Sequence, residues 1–114
     1  MAVKSQTFWV VIIAAGCVAV LPWGCASDSE SEAHNNRGVA HLRKGEHDAA
    51  IRDLTKAIKL APTYSDAHHN RAIAHFHGCD YDKAWVDVKE CQRLGGQVHP
   101  RLLADLREAS GREE

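Results

Sequence analysis

No apolar run in this 114-residue chain reaches the ~20 residues that a membrane-crossing helix needs. Cysteines in a C-x-x-C pair are also missing, as are histidines spaced i, i+3 or i, i+4, so no single helix offers a chelating pair for zinc. A glycine-rich phosphate loop and a nucleophile elbow are lacking too, which removes the usual sequence marks of nucleotide handling and of serine hydrolysis. Charge of one sign is not in excess: 14 Lys and Arg stand against 15 Asp and Glu. A nucleic-acid partner would call for a basic face, and the composition provides none. Apolar–polar alternation of the strand type is found nowhere, which leaves an all-α chain of one small domain.

The start of the chain differs from the rest. After Lys4, residues Phe8 to Leu21 (FWVVIIAAGCVAVL) run apolar for 14 residues. At about 1.5 Å per residue such a helix covers only about 21 Å. A short basic start, this apolar stretch and a small-residue exit form the pattern of an export signal. Gly24-Cys25 at its end resembles the lipobox of bacterial lipoproteins, in which the cysteine is acylated. Pro22 departs from that motif, whereas Ala14-Ala15-Gly16-Cys17 fits it by letter but leaves too short an apolar stretch. The expectation is therefore a signal or lipoprotein anchor over 1–25 with Cys25 lipidated; cleavage near Ala26 and retention as an anchor are the alternatives. A polar linker, 26–30, would follow, placing the domain at a bacterial envelope on the periplasmic or outer-surface side. Beyond it lie Cys79 and Cys91, expected as small buried residues, with a disulfide in an oxidising compartment the other reading.

What is present in abundance is self-similarity. Shifted by 34 residues, Ser31, Ala33, His34, Asn36, Arg37, Ala40, His41, Asp48, Ala50, Asp53 and Leu60 meet identical residues at Ser65, Ala67, His68, Asn70, Arg71, Ala74, His75, Asp82, Ala84, Asp87 and Leu94. A fixed period of this length marks a solenoid, in which each unit buries its apolar face on the next. Each unit holds two helical patterns. In the first unit Ala33, Arg37, Ala40 and His41 share one face, Gly45 interrupts, and a second helix from about Asp48 aligns Ala50, Ile51, Leu54, Ala57 and Ile58 before Pro62. The second unit repeats the plan from Ala67 to Phe76 and again through Ala84, Trp85, Val88, Cys91 and Leu94, ended by Gly95-Gly96. A fifth helix opens with Pro100, carries Leu102, Leu103, Leu106 and Ala109 on one side, and closes at Ser110-Gly111.

Ala33, Asn36-Arg37-Gly38, Ala40, Gly45, Ala50-Ile51, Ala57-Ile58, Leu60 and Pro62 resemble a tetratricopeptide repeat, and Ala67, Asn70-Arg71-Ala72, Ala74, Phe76, Tyr81-Asp82, Ala84, Cys91 and Leu94 a second in register. The resemblance implies an α-solenoid of two helix-turn-helix units, 31–64 and 65–98, with a capping helix at 99–111. Small residues at Gly38, Ala72, Ala50 and Ala84 would let paired helices approach closely. Histidines stand where the family has bulky aromatics, at His34, His41, His68 and His75.

The resemblance further implies a non-catalytic interaction module with a concave groove for a protein or peptide segment. Carried over residue by residue, the groove comprises Glu32, Asn35, Asn36, Val39, Leu42 and Arg43 in the first unit, and Asp66, His69, Asn70, Ile73, Phe76 and His77 in the second. Its acidic and aliphatic positions do not suit the family's clamp for acidic C-terminal tails. The four apolar groove residues could instead pack inside the array. No cofactor, metal ligand or catalytic residue is expected, and the membrane would be met only through the leading segment. Two other readings remain: a histidine-dependent metal or pH-responsive module, with His41 and His75 as a conceivable shared pair, and a subunit stabilised by homo-oligomerisation at the open end of a short array.

Overall fold

The computed structural model describes residues 28–112, and these form helices and connecting turns with no strand among them. Helix α1 spans 28–43, α2 His47–Leu60, α3 Ser65–His77, α4 Tyr81–Arg93 and α5 Pro100–Ser110. Neighbours in sequence pack against each other, α2 on α3, α3 on α4 and α4 on α5. The result is the α-solenoid expected from the period. No described helix is long and apolar enough to cross a membrane. The expectations for 1–25, including Cys25, fall on residues outside the described ones.

Helix ends follow local chemistry. Acidic Asp28, Glu30 and Glu32 open α1 and basic Arg43 closes it, which complements the helix dipole. The same turn closes α1, α3 and α4. The amide of Glu46 reaches back to the carbonyl of His41, Asp80 to His75 and Gly96 to Cys91, each at 2.9 Å. Such a closure needs a left-handed residue, supplied by Gly45, Cys79 and Gly95. For α5, His99 caps the start by accepting a hydrogen bond from the Arg101 amide, and Pro100 takes the first turn.

Two core clusters form, of unequal size. The smaller joins Ala50 and Leu54 of the first unit to Ala74 of the second, with Leu42 and Ile51 against them. The larger gathers Ala72, Ala84, Trp85, Val88, Leu102 and Leu106, flanked by Ile73, Phe76, Tyr81, Val98 and Leu103. Trp85 gives it depth, and its indole N–H donates to Ser110 Oγ at 3.0 Å, tying α4 to the end of α5.

The contact between the two helices of each unit is built from a small residue facing a larger one. A Cβ placed on Gly38 would lie 2.6 Å from Leu54 Cγ, so glycine is the residue that fits there. In the second unit the same positions hold Ala72 and Val88, both fully buried. One methyl has moved across the contact, from the second helix to the first, and the volume is conserved.

Four expectations need correction. Residues 28–30 belong to α1 rather than to a linker, because their acidic side chains suit a first helical turn. The buried face of α1 is Ser31, Asn35 and Gly38, while Ala33 and Ala40 are exposed, since no unit precedes this one among the described residues. Cys79 is exposed, being the left-handed turn residue, and only Cys91 is buried; both are free thiols. Ala109 is exposed on α5, where Leu102 and Leu106 are buried and Leu103 is half-buried.

The glycine contact makes a double-mutant prediction. Gly38→Ala and Leu54→Val should each destabilise alone or leave little change, whereas the double variant should exceed the sum of the two by about 1 kcal/mol. Urea unfolding of the four proteins, followed by helicity, measures that coupling, and simple additivity would contradict the steric account.

Candidate functional site

Two groups of polar side chains lie within reach of function: a cluster repeated inside each unit, and the concave face across the units. The repeated cluster accounts for most of the polar identities. In the first unit Arg37 on α1 clamps Asp53 on α2, Nε donating to Oδ2 at 2.8 Å and Nη2 to Oδ1 at 2.5 Å. His34 and His41 stand one turn to either side of the arginine, with Nδ1 of His34 3.5 Å and Nε2 of His41 3.4 Å from the same carboxylate. His41 also brings Nδ1 to Glu46 Oε2 at 2.5 Å. In the second unit Arg71 clamps Asp87 at 2.8 and 2.7 Å, and His68 and His75 flank it at 3.4 and 3.8 Å.

These histidines fill the slots expected for packed aromatics, and their nitrogens also surround a carboxylate. Asp53 and Asp87 as the centres were missed from the sequence. A signal was available: both are identities of the period, positioned mid-helix on the face that carries Ala50 and Leu54.

Burial separates the two clusters. The Arg37 side chain is 57% exposed and that of Arg71 only 20%. The difference comes from α2, whose Thr55 accepts a hydrogen bond from Arg71 Nη1 at 3.2 Å. The hydrogen bonds of Arg37 hold the Asp53 carboxyl below the ordinary carboxylate range. Burial pulls the His75 imidazole below its ordinary value, although Asp87 opposes that shift. His69 is lowered likewise by burial, opposed by Asp66 and helped by His99. No three His, Cys, Asp or Glu side chains gather into a possible metal site among the described residues.

Of the positions assigned to the groove, Val39, Leu42, Ile73 and Phe76 are half-buried, each sharing its surface between the interior and solvent. Glu32, Asn36, Arg43, Asp66 and His77 are exposed, and His69 and Asn70 half-buried. Asn35 departs from expectation. It is buried, donating to the Tyr64 hydroxyl at 3.3 Å and accepting from Asn70 Nδ2 at 3.0 Å. This pair joins α1 to α3, so Asn35 serves the scaffold rather than a ligand. His77 stacks on His47 with ring centroids 5.2 Å apart, while Phe76 meets Tyr81 at 5.8 Å.

The expectation also stopped short of α5. Ile73, Phe76 and His77 border a depression of about 320 Å³ whose far wall is His99, Arg101, Leu102 and Asp105. No spacing rule points to this wall, because α5 lies outside the repeat.

Residues 31–64 match the tetratricopeptide repeat family. The chain therefore contains a tetratricopeptide repeat. Its second unit follows by register, since 65–98 repeats both the residues and the helix pair of the matched segment. No curated protein matches the chain. Tetratricopeptide repeats serve generally as protein–protein interaction modules, and that is the class of activity this chain carries.

The two clusters predict unequal sensitivity to the same substitution. Asp87→Asn leaves a mostly buried guanidinium with a weakened partner and should cost about 3 kcal/mol. Asp53→Asn, beside an exposed arginine, should cost about 1 kcal/mol or less. Chemical denaturation of the two variants compares them directly.

A pH prediction follows from His69 and His75. Their folded-state values lie below the unfolded value of ~6.5, so the unfolded chain takes up protons first as pH falls. Their contribution is complete above that value and is lost as pH drops below it. Asp53, lowered instead, keeps its contribution until the pH falls through the acid range below ~3.9. Thermal unfolding measured from neutral to mildly acid pH should show a falling midpoint, and His75→Gln should flatten the slope.

Proposed function

We propose that this chain is a non-catalytic adaptor whose concave face seats an extended or helical segment of a partner protein, and that its leading 25 residues hold it at a bacterial envelope. The observation that carries the groove reading is that Val39 and Leu42 on α1 and Ile73 and Phe76 on α3 are all half-buried, the last two bordering the depression that Leu102 also lines. Such residues supply apolar contact without exposing a large greasy patch. Around these residues the exposed rim differs between the units, with Arg43 against His77. The acid-cluster residues repeat, and this rim position does not. Selectivity therefore belongs to the rim, where exposed polar side chains meet whatever lies along the groove.

The envelope location rests on the sequence of the leading segment alone: a basic start, 14 apolar residues and Gly24-Cys25. With Cys25 acylated, the folded units would begin only a few residues from the lipid surface, since α1 is under way by residue 28. A histidine-dependent metal module gains nothing from the geometry, in which the four repeated histidines already face aspartates.

Capture from a bacterial membrane extract with the full-length chain tests the groove. A retained protein should be lost with Arg43→Glu combined with His77→Glu, both on the rim and outside the core. It should be kept with Lys59→Glu, an exposed position at the end of α2. Retention by all three proteins would reject the groove reading. Intact-mass measurement of the mature chain should show an acylated Cys25 as its first residue, and an unprocessed Met1 would reject the lipid anchor.

A further inference from the structure

We propose that the outer face of α1 is a self-association surface, on which α1 of a second copy packs antiparallel across a two-fold axis. The reasoning begins with an internal comparison. Ala67, Arg71 and Ala74 on α3 lie at the interface between the units, with both alanines fully buried. Their equivalents one period earlier are Ala33, Arg37 and Ala40, and all three are exposed. The interface that covers α3 is therefore present a second time on α1, with the same residues and nothing upon it among the described residues.

The polar contacts of that interface are also duplicated in sequence. Asn70 crosses it to Asn35 at 3.0 Å and Arg71 crosses it to Thr55 at 3.2 Å. Their equivalents Asn36 and Arg37 are exposed on α1. The Arg37 charge is already compensated by Asp53, so bringing two copies of this face together does not oppose two bare cations.

Charge decides the orientation. Along α1 the acidic residues Asp28, Glu30 and Glu32 come first, and the basic Arg43 ends it, followed by Lys44 in the turn. A parallel pair would set like charges side by side. An antiparallel pair centred near Arg37 places Glu30 against Lys44 of the second copy at both ends and Ala33 against Ala40 on either side of the centre. Small side chains there allow close approach beside the two Arg37 side chains, each held to its own Asp53. The far end of the array argues for the same symmetry. The exposed surface of α5 carries the charged residues Arg101, Arg107 and Glu108 rather than a row of alanines. That end is closed in the manner of a capping helix, so head-to-tail stacking is disfavoured and a closed pair is what remains.

A single pair of helices of this length, about 24 Å long, buries less than a standard interface, so dissociation in the micromolar range is expected. Sedimentation equilibrium of the full-length chain in density-matched detergent measures it. The wild type should show a reversible monomer–dimer equilibrium. Ala40→Glu should weaken it by about tenfold or more. Glu30→Lys and Lys44→Glu should each weaken it, and the two combined in one chain should restore it. Far-UV helicity of each variant verifies that it is folded. A monomer at all concentrations would overturn the proposal, as would a dimer that Ala40→Glu leaves untouched, which would place the contact in another segment. Failure of the combined variant to recover would overturn the antiparallel arrangement.

Discussion

Each unit is pinned by a carboxylate on its second helix that receives two hydrogen bonds from an arginine on its first. A bidentate pair of this kind fixes distance and rotation together, which an apolar contact does not. The histidines one turn above and below the arginine complete the ring around the acid. Packing then follows: with the two helices held in register, Gly38 meets Leu54 and Ala72 meets Val88 at the same height. An aspartate inside a small helical array would be costly alone. Surrounded in this way, it specifies how the helices pair.

Much of this was legible in the sequence, for reasons that can be named. The 34-residue period is a property of the chain itself, and small residues at Gly38, Ala50, Ala72 and Ala84 announce close helix contacts. The histidines were legible as residues in packing slots, but their partners were not, because Asp53 lies 12 residues beyond His41 and only folding brings them together. Asn35 was misplaced for a related reason. Helical spacing assigns it to the groove, yet Tyr64 and Asn70 draw it into the contact between units. The wall contributed by α5 could not be read at all, since nothing in the repeat dictates where a helix outside it will lie.

The chain divides its residues between holding a shape and offering a surface. Identities of the period go to the acid clusters, to the small contacts and to Asn70, which bridges the units. Differences between the units include the exposed pair Arg43 and His77, while in the core they are matched in volume, as at Gly38–Leu54 and Ala72–Val88. This division explains why the class of activity follows readily from the fold while the partner does not. A scaffold is constrained by its own physics, and a rim is constrained by something outside the molecule.

Trp85 sits at one end of the molecule and has no counterpart of its size at the other, where Ile51 takes the equivalent position. The array is consequently lopsided in mechanical terms. Tension or thermal motion entering through the start of the chain reaches α1 and its shallow core first. Tension entering from the other end meets the tryptophan clasped to Ser110. In a quasi-one-dimensional fold, where each helix is steadied mainly by its neighbours, such a gradient gives unravelling a direction. The molecule yields from its first helix inward, and the second unit is the part that stays wound.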